Sequence, residues 1–393
     1  MNTILKHTYR ANGLDTLRAA AITLVFMTHY MSFVSGGYPT FGWASVVGWT
    51  GVDLFFVLSG YLIANQLFAG LSRGETIALP AFYARRALRT WPAYWVVLSL
   101  YFLFPVFMGG QPSPPLWRFL TFTQNVGLHA GTAFSHAWSL CIEEQFYLIL
   151  PLVLIAGLRG NVNPRRGWLL LATLIGIGVA SRSILWLDHA TTHKEYYSYI
   201  YYSTLCRFDE FLPGVAVAAL KNFYRPLWER LTQHGQRVLL IGALMTGALF
   251  YLVYRFYDMD GYGYTFFMTA AGYSLLALSF AVLVVAALSP SSWLHRIRIP
   301  GAYHIALWSY SIYLSHKAIM MILKRELAPF ALPSAVLVCT VAVASILTGA
   351  VLYRLIESPF MAWRDRLIPS NFVPAPRHTS NARLRMELQS NNN

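Results

Sequence analysis

The sequence predicts an all-α fold: a polytopic membrane bundle of about ten spanning helices, with both termini in the cytoplasm. Three observations lead there. Of the 393 residues, 56% are hydrophobic and only 12% are charged, whereas soluble domains carry about 25% charged residues. The apolar residues gather into runs near the ~20 residues that a helix needs to cross a bilayer. The basic residues alternate between the loops. Under ten crossings, 22 of the 30 Lys and Arg fall on one side and four on the other, and the richer side is cytoplasmic by the positive-inside rule. Aromatics make up 16% of the chain, with 12 Trp and 24 Tyr, which suits belts at the two interfaces.

The first span is predicted over residues 14–34. It is too long for the apolar core of a secretory signal and is expected to stay as a helix. The next two cover 48–70 and 90–108, the latter interrupted by Pro92 and Pro105. A loop rich in Pro, Gly and Thr runs from Gly109 to Ser135 and is expected to form a lid or groove. Further spans are predicted over 138–158, 167–187 and 201–220, the last holding Arg207, Asp209 and Glu210. The final four cover 237–257, 265–288, 304–323 and 334–356. The membrane domain is thus expected over 1–365. Residues 366–393 are polar and without apolar periodicity, and are expected to be a disordered cytoplasmic tail. The net charge of +14 does not indicate nucleic acid, because the basic residues lie in short loops between apolar runs. Cys141, Cys206 and Cys339 offer neither a disulfide framework nor metal-ligand spacing, so no metal is expected.

Candidate chemistry begins in the first span. A titratable group within a membrane is costly and marks a functional site by default. Arg18 and His29 are eleven residues apart, about three turns plus 20°, so they share a face at about 16 Å separation. A neutral imidazole can take a proton from an alcohol. The competing reading is a histidine hydrogen-bonded for packing and an arginine that snorkels. Glu143 and Glu144 open the fourth span; Ser139 and Tyr147 share the face of Glu143, His136 lies just before, and His136, Ser139 and Tyr147 are expected to bind substrate. One carboxylate could hold an imidazole and stabilise its charge, or both could complement the helix N-terminus. Asp53 could pair with His29 or cap its own helix. Arg85, Arg86 and Arg89 could grip phosphates or only mark the cytoplasmic side. Arg207 and Asp209 could bind substrate in a wet cavity or pair internally. His316 could bind substrate or bond across helices.

At these residues the chain resembles the membrane acyltransferase 3 family of multi-span O-acyltransferases. The resemblance rests on Arg18 and His29 at their spacing, and on Gly51-Val-Asp-Leu-Phe-Phe-Val-Leu-Ser-Gly-Tyr61. It also rests on Trp138-Ser-Leu-x-x-Glu143-Glu-Gln-Phe-Tyr147, Arg86-x-x-Arg89, and Ser309-Tyr-Ser-Ile-Tyr-Leu-x-His316. The motifs cover about residues 12–360. The resemblance implies transfer of an acyl group, commonly acetyl, from cytoplasmic acyl-CoA. The implied acceptor is a hydroxyl of a cell-surface polysaccharide such as lipopolysaccharide, or of a lipid-linked glycan, in a bacterial inner membrane. Some relatives acylate small metabolites such as macrolides. It further implies His29 as the catalytic residue, acting as base or acyl carrier, with Arg18, Arg86 and Arg89 on the donor and Glu143 in support. Longer relatives carry an extra extracytoplasmic domain; here acceptor selectivity is expected within the membrane domain and its loops. The main rivals are a proton-coupled transporter using His29, Asp53 and Glu143 as a relay, and an export scaffold. The sequence shows no internal repeat of the kind that builds many transporters.

Overall fold

A computed structural model describes residues 12–110, 114–159, 164–189, 192–259 and 263–373. Nearly all of it is helix. The long helices are α1 (Asn12–Phe33), α2 (Gly51–Ser72), α3 (Leu79–Leu103), α4 (Trp138–Arg159) and α5 (Pro164–His189). They continue with α6 (Leu212–Phe223), α7 (Gly235–Phe256), α8 (Tyr273–Leu288), α9 (Ala302–Leu327) and α10 (Ser334–Leu352). Among the described residues, six helices are long and apolar enough to cross a membrane. They are Trp43–Ser72, Ser135–Leu158, Arg165–His189, Gly235–Phe256, Met268–Leu288 and Ser334–Leu367. The other expected spans are helical too, but α1, α3 and α9 carry polar groups that line the site, and the region of α6 carries buried charges.

The bundle turns apolar side chains outward. Leu169, Ile184 and Leu187 on α5 and Val343, Leu347 and Val351 on α10 are all exposed, as lipid-facing helices require. α2 lies at the centre, with Asp53, Val57, Ala64 and Leu67 fully buried. It packs closely on α6 through two glycines. A Cβ on Gly60 would strike the Phe211 carbonyl, and one on Gly214 would strike the Val57 carbonyl. Small residues of this kind let backbones approach where lipid supplies no hydrophobic drive.

Three expectations need correction. α3 begins at Leu79, well before residue 90, runs through Pro92 and ends before Pro105. Arg85, Arg86 and Arg89 therefore stand on a helix and not in a loop; Pro80 in the first turn is tolerated because no partner exists there for its missing N–H. The loop before α4 is not a free lid: Gln124 and Asn125 are fully buried. Asn125 donates to the Tyr202 carbonyl at 3.0 Å, and Gln124 to Tyr94 Oη at 3.1 Å. The expected tail is ordered as far as Val373. A helix covers Ser358–Leu367, and Phe372–Val373 pairs antiparallel with Thr76–Ile77. Asp365 anchors this segment to Arg85 at 3.0 Å. Residues 374–393, the rest of that expectation, lie outside the described residues.

The sixth expected span is broken into a turn over Thr204–Arg207, a 3-10 turn over Phe208–Phe211, and α6. The break brings charges inward. Arg207 pairs with both Asp53 and Glu210, all fully shielded from solvent. Arg182 on α5 pairs with Asp209 at 2.7 Å. Aromatic rings surround the Arg207 guanidinium, with Tyr273 at 4.2 Å and Tyr201 at 4.8 Å from ring centroid. Internal pairing is thus what these charges do, and substrate binding by Arg207 and Asp209 is set aside.

Candidate active site

Five helices enclose a cavity of about 320 Å³. Arg18 enters from α1, Ser59 from α2, Arg86 and Arg89 from α3, Ser139, Glu143 and Tyr147 from α4, and Tyr313 from α9. The spacing of three between Arg86 and Arg89 puts both on one face, which explains why both reach the same space. Glu143 accepts hydrogen bonds from Ser59 and from Tyr147. The Arg86 guanidinium lies 5.7 Å from the Tyr147 ring centroid, and its Nε is buried without a hydrogen-bond partner. Among the described residues, none of Arg18, Arg86 and Arg89 forms an ion pair with a carboxylate. Three partly buried guanidiniums share this space with one carboxylate, that of Glu143; such an excess of positive charge is costly, and the planar forks match carboxylate and phosphate oxygens. Arg85 differs: it is spent on Asp365 and the Ile368 carbonyl, so its expected part in donor binding is not seen.

Beyond this cavity lies a cluster of histidines. His29 Nδ1 and His316 Nε2 are 2.6 Å apart, and His136 packs edge-on to both rings at 6.2 and 5.5 Å between centroids. The tautomers follow from the partners. His316 Nδ1 faces the carbonyls of Ile312 and Tyr313 at 3.0 and 2.9 Å. Carbonyls only accept, so Nδ1 carries the proton and Nε2 of the neutral ring offers a lone pair. His29 must then donate from Nδ1, which leaves its own Nε2 free to accept. No described residue hydrogen-bonds that Nε2. Lys317, one residue on, is buried and donates to the Thr132 carbonyl at 2.7 Å and to Ser135 Oγ at 3.1 Å.

Cavity and cluster share a wall. Tyr313 lines the cavity while its hydroxyl donates to the His136 carbonyl at 2.6 Å. Its oxygen then accepts from Ser139 Oγ, also at 2.6 Å. The arrangement offers an anion-binding chamber on one side and an oriented base on the other.

The structure brings together Arg18, Arg86, Arg89, Ser139, Glu143 and Tyr147 around the cavity, and His29, His136 and His316 beside it. It does not bring Asp53 or Glu143 to His29. Asp53 is held by Arg207 and Glu143 by Ser59 and Tyr147; the neighbour that touches His29 is His316. Glu144 turns away from Glu143 and accepts from Thr90 at 2.7 Å and Trp91 at 3.2 Å. Sequence reasoning missed Ser59 and Tyr313. Both lie within the motifs quoted above, but their role depends on which helix faces which. Among the described residues, no group of three or more His, Cys, Asp or Glu is placed to hold a metal ion.

A family model described as an acyltransferase domain matches residues 11–354. The chain is 30% identical over 326 residues to the peptidoglycan O-acetyltransferase OatA of Listeria monocytogenes, covering 78% of this chain and 49% of that protein. It is 26% identical over 369 residues to the O-acetyltransferase OatA of Staphylococcus aureus, covering 88% and 56% respectively. The chain therefore spans about half the length of these curated relatives. No solved structure matches it.

Proposed function

Since the chain belongs to the membrane acyltransferase 3 family, we propose that it is a multi-pass O-acyltransferase moving an acetyl group from cytoplasmic acetyl-CoA to a hydroxyl of a cell-wall glycan. The related proteins named for peptidoglycan favour that acceptor over lipopolysaccharide. The carrying observation is the pairing of a cavity with a histidine cluster: three guanidiniums without an ion pair on one side of Tyr313, and the His29–His316 pair on the other. This placement also favours an enzyme over a transporter, because a relay for protons alone gives no reason to gather three arginines.

Arg18, Arg86 and Arg89 grip the phosphates of the donor. Its extended arm carries the thioester past Tyr313 toward His29, which lies about 16 Å from Arg18 along α1 at about 1.5 Å per residue. His29 Nε2 takes the proton of the acceptor hydroxyl as its oxygen attacks the thioester carbonyl. The new C–O bond forms, the C–S bond breaks, and the departing thiolate recovers the proton from His29. His316 keeps the base in the right tautomer and shares the positive charge through the Nδ1–H bond. Glu143 holds Ser59 and Tyr147 in place and balances the arginines. The site sits in a bacterial inner membrane, with ten crossings and both termini cytoplasmic.

The test is donor turnover. Purified protein receives labelled acetyl-CoA and glycan strands from a bacterial wall, with His29→Ala alongside. Label on the glycan with the unsubstituted protein only is expected. The absence of both CoA binding and transfer would sink the reading; equal transfer by His29→Ala would remove His29 from the chemistry.

A further inference from the structure

Two polar atoms beside the histidine pair have no protein partner. His136 is 4% exposed and its Nδ1 is unpartnered; Tyr101 is fully buried and so is its unpartnered hydroxyl. The two rings lie 6.3 Å apart between centroids, tilted by 49°, and Phe134 packs on both, at 5.1 and 4.6 Å. That ring offers neither of them a hydrogen bond. The tautomer of His136 is set from outside: its Nε2 faces the Leu314 carbonyl at 3.3 Å, so Nε2 carries the proton and Nδ1 can only accept. Tyr101 Oη can donate. Buried polar atoms in native proteins are nearly always satisfied, and an orphaned pair points to a group that arrives later.

We propose that His136 Nδ1 and Tyr101 Oη together hold a second hydroxyl of the acceptor, next to the one that His29 activates. The inference rests on reading His29 as the base. A hydroxyl has the chemistry to satisfy both atoms at once, giving its hydrogen to Nδ1 and taking that of Tyr101. A carbonyl or an N–H satisfies only one of them. The site therefore selects polyhydroxylated acceptors over simple alcohols, and His136 and Tyr101 set specificity while taking no part in proton transfer.

The experiment reads binding apart from turnover. Full-length His29→Ala protein in lipid nanodiscs is titrated with soluble bacterial glycan strands, with Tyr101→Phe, His136→Leu or His136→Asn added. Thermal unfolding verifies that each variant is folded. Tyr101→Phe and His136→Leu are each expected to raise the Kd about tenfold. His136→Asn places an amide oxygen near the position of Nδ1 and stays within about threefold. Combining Tyr101→Phe with His136→Leu adds little beyond either, because both act on one hydroxyl. In the enzyme with His29 intact, cis-cyclohexane-1,2-diol should outcompete cyclohexanol as acceptor, and His136→Leu should abolish the preference. An unchanged Kd in folded Tyr101→Phe and His136→Leu would mean that the two groups are bridged by structural water, and would overturn the proposal. Failure to bind glycan at all would overturn it too, while acetyl-CoA binding would still decide the donor reading. Transfer surviving in His29→Ala would strike the base and leave the binding result standing.

Discussion

His316 accepts the Nδ1 proton of His29 across 2.6 Å while its own Nδ1 is committed to two carbonyls of its helix. The backbone of α9 thus dictates, through one ring, which nitrogen of a second ring is free. His316→Ala should lower kcat by about 10- to 1000-fold with little change in the KM for acetyl-CoA. His316→Gln, which keeps an acceptor near the Nε2 position, should recover much of that loss. Steady-state kinetics with both substrates varied would check this; a rise confined to KM would make His316 a binding group instead.

The arginines should separate by partner. Arg86→Ala and Arg89→Ala are each expected to raise the KM for acetyl-CoA by about 10- to 100-fold, the value of a charge-assisted contact. Arg85→Ala should stay within about threefold, since Arg85 is tied to Asp365 at 3.0 Å. Titration with acetyl-CoA by calorimetry reads the difference, and a large effect at Arg85 would contradict the assignment of the chamber.

Arg207 should matter for folding before it matters for catalysis. Arg207→Met leaves Asp53 and Glu210 buried without their cation, and breaking such a set costs about 3–5 kcal/mol. Thermal unfolding in detergent should show a large drop, part of it restored by adding Asp53→Asn and Glu210→Gln. An unchanged midpoint with lost activity would return the group to the active site.

Gly214→Val puts a side chain where the Val57 carbonyl already lies. Overpacking of this kind costs about 1–3 kcal/mol or more, and here it also pries α6 from α2. The midpoint of unfolding should fall, while a surface change such as Gly247→Ala, which meets nothing nearby, should leave it in place.

Helical spacing alone places Arg18 on one face with His29 and Arg86 on one face with Arg89; that Arg18 meets Arg86 and Arg89 in one cavity depends on how α1 packs against α3. The sequence could not tell Asp53, Glu143 and His316 apart as partners of His29. All three lie on other helices, and that choice depends on how α2, α4 and α9 rotate against α1. The charges near Arg207 were visible, but their pairing needed Arg182 and the break in the sixth span, both fixed by tertiary packing. The run of α3 across its basic turn was hidden because a search for apolar length stops at charged residues. The Pro- and Gly-rich loop read as a lid or groove by composition, and Gln124 and Asn125 find partners inside the bundle.

The wall of Tyr313, Ser139 and the His136 carbonyl also bears on electrical insulation. A catalyst fed from one face of an energised membrane and drained at the other is a short circuit unless something blocks ions in between. Each elementary charge that slips across dissipates about 2.3 kcal/mol per 100 mV. In the proposed path the donor's arm passes three hydrogen-bonded groups at 2.6 Å that close again when the site is empty, so Tyr313→Ala in sealed vesicles should collapse an imposed voltage faster than the unsubstituted protein does. Such a leak would harm a cell even if acyl transfer continued, and that gives Tyr313 a reason to be kept that no assay of product would reveal.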